Sequence, residues 1–282
     1  MTTYQNTTPS ASIYTSIGEP TLSNGDVVDL VEGASDYTQG LANLSGVELA
    51  SFTAHPGFTG TIGGDGASLM LDAVDVRLLW GGRRAYLEGV AGKTIASLLS
   101  MPATGNAATH LAAMSVTSLN LVRGEATVAD TVTATTVRVL GGSTRIRKGA
   151  AIATLEAAAA VGAPGSGGTT TVDLYADVGT VRAQAGSVVR ALDLGISPAT
   201  LAIDGGRVEW RGGDIGTLSV GPGGGILDLS ALSQSIAIAD FVLSGPLRIV
   251  PPMSGAVTGW EFGQATGSNV DNAKVGVRYG QA

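Results

Sequence analysis

Three carboxylates are spaced as if for acid–base chemistry. Glu156 follows Leu155, Asp173 lies between Val172 and Leu174, and Asp193 lies between Leu192 and Leu194. A strand residue flanked by inward apolar neighbours points outward, so a coil-by-coil repeat of the flanking pairs would stack these carboxylates on one outer face. Adjacent coils are about 5 Å apart and alternate coils about 10 Å, which brackets the carboxylate separations of retaining and inverting glycosidases. The chemistry would be polysaccharide cleavage by an acid pair, or cation binding. The sparse aromatics count against it, because Tyr175 and Trp210 are the only rings near this stretch and a sugar groove uses several positioned groups. A solvated acidic stripe, with Arg138 beside Glu156 relieving repulsion by about a few tenths of a kcal/mol, accounts for the same residues.

Other chemistry finds less material. Gly92-Lys93-Thr94 resembles the end of a phosphate loop opening a helix at Ile95, but Leu87 stands where the first glycine belongs. Lys93 is expected in a solvated turn. Gly223-Gly-Gly-Ile-Leu-Asp228 departs from the calcium-binding nonapeptide at Ile226 and has no tandem copy. There is no cysteine, and His55 and His110 fall outside the regular ladder, which leaves a zinc centre or a histidine triad almost without ligands. No cofactor is expected. Arg138, Arg145, Arg147 and Lys148 form a basic cluster on one expected coil, suited to docking on a neighbour or to a solvated edge.

The elements that would position these residues follow from a weak repeat of about 18 residues. Leu119/Leu121 recur as Val137/Val139, then Leu155, Val172/Leu174, Leu192/Leu194, Leu218/Val220 and Ile236/Ile238, with a break between Leu192 and Leu218 that Leu201/Ile203 partly fills. That period suits one coil of a β-solenoid and is too short for a helical hairpin. The expected fold is all-β, a parallel β-helix or β-solenoid over 116–250, with an extended N-terminal arm at 1–45. An irregular β module or set of leading coils spans 46–115, and a C-terminal cap spans 251–282. Seven or eight coils would make a column of roughly 35 to 40 Å. Ala157 to Ala160 reads as a short helix former before a flexible loop to Gly168. Pro251-Pro252 stops the rhythm, and Trp260, Phe262 and Tyr279 supply large covering surfaces.

The net charge of −7 argues against nucleic acid and anionic membranes as partners. The N-terminus carries no apolar leader segment, and no apolar run reaches the roughly 18 residues of a membrane span. The polar arm, with isolated apolar points at Tyr4, Ile13, Tyr14 and Ile17, is expected either to lie on the body of the protein or on a partner, or to be a disordered tail.

The phrase His55-Pro-Gly-Phe-Thr-Gly-Thr-Ile-Gly-Gly64 and coils of the Thr135-Thr-Val-Arg-Val-Leu-Gly-Gly142 kind resemble β-helical virion proteins of tailed bacteriophages, particularly capsid decoration and cement proteins. The likeness covers residues 45 to 250 and includes no catalytic motif. It implies a non-enzymatic protein made in the host cytoplasm and mounted on the outer capsid surface. Its partners would be the major capsid protein and further copies of itself, a homotrimer being favoured. Contact residues would be Tyr4, Ile13, Tyr14 and Ile17, then the basic cluster. The alternatives are a phage tailspike or polysaccharide-processing β-helix working through Glu156, Asp173 and Asp193, and a secreted β-helical adhesin.

Overall fold

Branched apolar residues alternating with Ser, Thr and charged residues make strands too short to stand alone, and here they are stacked. The computed structural model describes residues 1–7, 10, 12–37, 46–64, 67–159, 169–234 and 236–251. It is a β-solenoid of about 11 turns, roughly 21 residues each.

The first strands are β1 (Thr3–Gln5), β2 (Val27–Gly33), β3 (Leu49–Phe58), β4 (Leu69–Leu71), β5 (Ala73–Leu78), β6 (Arg84–Gly89), β7 (Thr94–Ser100) and β8 (Ala108–Ala112). Next come β9 (Ser115–Leu121), β10 (Glu125–Val128), β11 (Thr133–Val139), β12 (Ser143–Ile146), β13 (Ala151–Ala157), β14 (Thr170–Leu174), β15 (Val178–Gln184) and β16 (Ser187–Ala191). The last are β17 (Thr200–Asp204), β18 (Arg207–Trp210), β19 (Ile215–Val220), β20 (Gly225–Asp228), β21 (Ile238–Leu243) and β22 (Leu247–Val250). A first sheet stacks β1, β2 and then the odd strands from β3 to β21, while a second stacks the even strands from β4 to β22. The strands of 46–115 are therefore coils of the same two sheets.

The core lies between the sheets. Leu98, Leu119, Val137, Leu155, Val181 and Leu201 follow one another in register on the first sheet, all fully buried. Val128, Ile146, Leu174, Ala191 and Trp210 do the same on the second. Each such Leu or Val contributes about 1.5–3 kcal/mol by leaving water.

The register corrects the 18-residue ruler. It holds from Leu119 to Val137 to Leu155, but the next partner on the first sheet is Val181, 26 residues on, followed by Leu201, Leu218 and Phe241. Val172/Leu174 lie on the second sheet, Leu192/Leu194 lie beyond β16, and Leu201/Ile203 form a regular coil. The extra residues after Leu155 carried a fixed count from one sheet to the other. Ala157, expected in a helix, is the buried last residue of β13. Residues 160–168 lie outside the described residues.

The arm is part of the body. β1 pairs with β2 and β2 with β3, so Thr3–Gln5 and Val27–Gly33 add to the first sheet. A short helix, α1 (Ile13–Ser16), buries Ile13 completely, and Ile17 just after it is 7% exposed. Tyr37 stacks on Phe58 at 5.4 Å and donates its hydroxyl to Ser16 Oγ at 2.8 Å, pinning the helix across the end of the column. At the opposite end the last described strands are β21 and β22; the expected cap, with Trp260, Phe262 and Tyr279, lies outside the described residues.

Coil corners set their own demands. Gly142, at φ +74°, lies on Gly124, at φ +83°, and a Cβ at Gly142 would sit on the Gly124 carbonyl oxygen. Only glycine meets both the left-handed backbone and the close approach.

Candidate functional site

Residues between inward neighbours do point outward, but the expected acidic column is divided. Glu156 lies on the first sheet, in register with Arg138 on one side and Arg182 on the other. Its two carboxylate oxygens accept from Arg138 Nε and Arg182 Nη1, both at 2.8 Å. Asp173 lies on the second sheet, in a column running Arg145, Asp173, Arg190, Glu209 and Asp228. Its Oδ1 is 2.8 Å from Arg190 Nε. Arg207 spans the next pair, 3.1 Å from Glu209 and also bonded to Asp228.

Asp193 belongs to neither strand column. It follows β16 in a turn, where Oδ1 accepts the Gly195 N–H at 2.9 Å and Oδ2 accepts from Lys148 Nζ at 3.0 Å. The Gly195 bond, then that of Lys148, holds its carboxyl below the usual carboxylate range. A general acid needs the opposite shift. The three carboxylates thus lie on two sheets and a turn, each facing a cation, and do not form an acid pair. The long coil between Leu155 and Val181 is the physical reason.

The basic cluster is divided as well. Arg138 is on the first sheet in its pair with Glu156, Arg145 is on the second sheet, and Arg147 and Lys148 occupy the corner after β12. Arg145 and Arg147 are exposed and have no ion-pair partner among the described residues. The expected arm contacts divide similarly. Ile13 and Ile17 are core residues, so they are unavailable to a partner, while Tyr4 and Tyr14 are half-buried and pack against that core.

The phosphate-loop resemblance ends at Thr94, since Thr94–Ser100 is strand β7 and no helix presents its N-terminus there. Lys93 reaches Asp72 at 3.4 Å and Glu48 at 3.5 Å, and Asp72 above all, with Glu48, raises its pKa. His110 is in β8, its ring stacked on Tyr86 of β6 at 4.5 Å, and His55 in β3 is 3.4 Å from Asp29. Both histidines therefore belong to the ladder after all. Among the described residues no group of three or more His, Asp or Glu is placed to hold a metal ion. No described helix is long and apolar enough to cross a membrane.

Comparison with protein-family models, curated proteins and solved structures gives no match. The surface must be judged on its own chemistry. Arg182, Arg190, Arg207, Glu209 and Asp228 are the partners that sequence inspection missed. Their signal was present: Val181-Arg-Ala183, Val189-Arg-Ala191 and Val208-Glu-Trp210 repeat the inward-outward-inward pattern once Ala and Trp count as inward residues. A column of hydroxyls was missed too. Ser97, Ser118, Thr136, Thr154, Thr180, Thr200 and Thr217 follow one another in register on the first sheet.

Proposed function

We propose that this chain is a non-enzymatic structural protein of the virion-decoration type, a stiff post that binds a capsid surface and acts by adhesion. The observation that carries the non-enzymatic part is the state of the carboxylates. Glu156, Asp173 and Asp193, the groups an acid-pair hydrolase would need, lie on different faces and each is engaged by Arg or Lys. The resemblance in the Phe58-Thr-Gly-Thr-Ile-Gly63 phrase and the Thr-rich coils supplies the kind of partner, the major capsid protein. Stacked strands with a continuous apolar core suit a post, because each coil is buttressed on both sides. Several copies binding together, a trimer in the favoured form, would add affinity through simultaneous contacts.

Ile13 and Ile17 support the fold, so deleting the arm would test folding rather than docking. Arg138 and Lys148 are already paired with Glu156 and Asp193, so Arg145 and Arg147 are the exposed cations of the basic cluster with no ion-pair partner among the described residues. The test mixes purified protein with undecorated capsids of the same source and images them by cryo-electron microscopy. Regularly placed density, weakened at least tenfold in occupancy by Arg145→Glu with Arg147→Glu, is the expected result. Particles without added density, together with cleavage of a host polysaccharide that Glu156→Gln abolishes, would replace this reading with the tailspike alternative.

A further inference from the structure

Along the outer face of the second sheet one column of side chains alternates in sign. Arg145 on β12, Asp173 on β14, Arg190 on β16 and Glu209 on β18 are register partners, one coil apart. Read from the other end, the column runs anion, cation, anion, cation. A half-turn about an axis that lies along the strands, between β14 and β16, reverses the coil order and keeps each residue's position on its strand. A second copy related in this way would set Glu209 against Arg145 and Arg190 against Asp173. Every cation of the column then faces an anion, and each match occurs twice because both copies present the same surface. The first sheet lacks this property. Its column runs Arg138, Glu156, Arg182, and the same rotation about Glu156 would bring Glu156 onto Glu156 and arginine onto arginine.

Within one chain these charges are incompletely used. Arg145 is exposed and has no ion-pair partner among the described residues. Asp173 Oδ1 and Arg190 Nε are 2.8 Å apart without the alignment of a hydrogen bond, and neither atom has a hydrogen-bond partner among the described residues. Glu209 shares Arg207 with Asp228, and its side chain is 38% exposed. The flanking positions also fit. Tyr175 and Leu192, half-buried and in line with each other just beyond β14 and β16, would meet across the axis as an apolar contact, and Thr171 would meet Val188. Arg147 and Arg211 would form a like-charged pair, but both are exposed corner residues at the margin of the face, where they can turn to water.

We propose that the outer face of the second sheet is a self-complementary interface, on which a second copy of this chain docks with its coils in reverse order. The inference goes beyond the decoration reading, because it gives Arg145 a partner in a second copy and makes the assembly two-fold where that reading favours three copies. Strands β10 to β20 lie in the contact, over about 24 Å. A patch of this size belongs to the smaller and weaker class of interface. Pairing is therefore a property of high protein concentration and low salt.

Sedimentation of the full-length chain, without capsids, tests it. Arg145→Glu and Glu209→Arg each set like charges face to face, so either variant alone is expected to be monomeric, its self-association weakened roughly tenfold or more. An equimolar mixture of the two is expected to regain pairing, because the two changed side chains then face each other and the two native ones do the same. Folded variants whose mixture stays monomeric would overturn the proposal. So would a wild-type chain that is monomeric at high concentration and low salt, or trimeric and indifferent to both changes. Rescue by mixing also separates this interface from a capsid contact of Arg145, which Glu209→Arg has no means to restore. Should Glu209→Arg fail to fold, single cysteines decide the matter, since the natural chain has none. In the paired copies Thr171→Cys stands about 5 Å along the column and about 10 Å across from its counterpart, whereas Glu125→Cys stands about 24 Å along. A bismaleimide reagent that spans the gap between the sheets is expected to link Thr171→Cys chains and to leave Glu125→Cys chains single. Linking at neither site, or equally at both, would overturn the proposal.

Discussion

Glu156 is gripped by two guanidinium groups, one on the coil below and one on the coil above. Glu156→Ala leaves Arg138 and Arg182 without their shared counter-ion, and a loss of about 1 kcal/mol is expected from the denaturation midpoint at unchanged slope. Both arginines are about half exposed, so high salt should erase most of the difference between wild type and variant. Asp26 makes a pH prediction. The N–H groups of Thr2 and then Ser23 hold its carboxylate below the ordinary carboxylate range. A depressed folded-state pKa gives stability that is present above the unfolded value and lost as pH falls through the folded one. Amide exchange in β1 and β2 should therefore quicken below about pH 4, and Asp26→Asn should flatten that dependence; equal acid sensitivity in both proteins would contradict it. Asp173 was legible in the sequence as an outward residue because Val172 and Leu174 flank it, and Glu156 because Leu155 continues the even spacing of Leu119 and Val137. Arg182 and Arg190 were not, because Ala183 and Ala191 on their inner sides do not stand out as core.

At the scale of the element, parallel strands were legible wherever a coil was tight. Leu119, Val137 and Leu155 are evenly spaced, so alternation and period agree there. The same count failed after β13, because side-chain alternation shows that a strand has an inner face but not which sheet it joins. The arm deceived for a related reason: Ile13 and Ile17 cover the end of a column formed by distant coils, and nothing local marks a capping helix of four residues. Corner glycines separate two physical demands. Gly92 has φ +77° and open space around its α-carbon, so Gly92→Ala should cost only the conformational penalty, roughly 1 kcal/mol. Gly142→Ala adds a clash with the Gly124 carbonyl and should cost clearly more, with the difference read from paired thermal melts. Leu155→Ala, in a fully buried position, is expected to lose about 2–5 kcal/mol.

For the whole molecule, closure at one end is a property of the first 37 residues. Ile13→Asp would bury a charge in the closing layer, and it is expected to raise binding of an apolar dye and to speed exchange in β3, with β15 little changed. Uniform loosening of every coil would instead mean that the solenoid melts as one unit. The stacking order carries a different consequence. Ser115 of β9, Thr133 of β11 and Ala151 of β13 share one register position, and the turn before Thr133 matches the turn before Ala151. Excising residues 133–150 would join Val132 to Ala151 and bring β9 directly onto β13 without altering either partner's alignment. The length of this protein is adjustable in whole steps, each about 5 Å, so a genome can lengthen or shorten it by duplicating or dropping a short segment of coding sequence, with no new fold to invent.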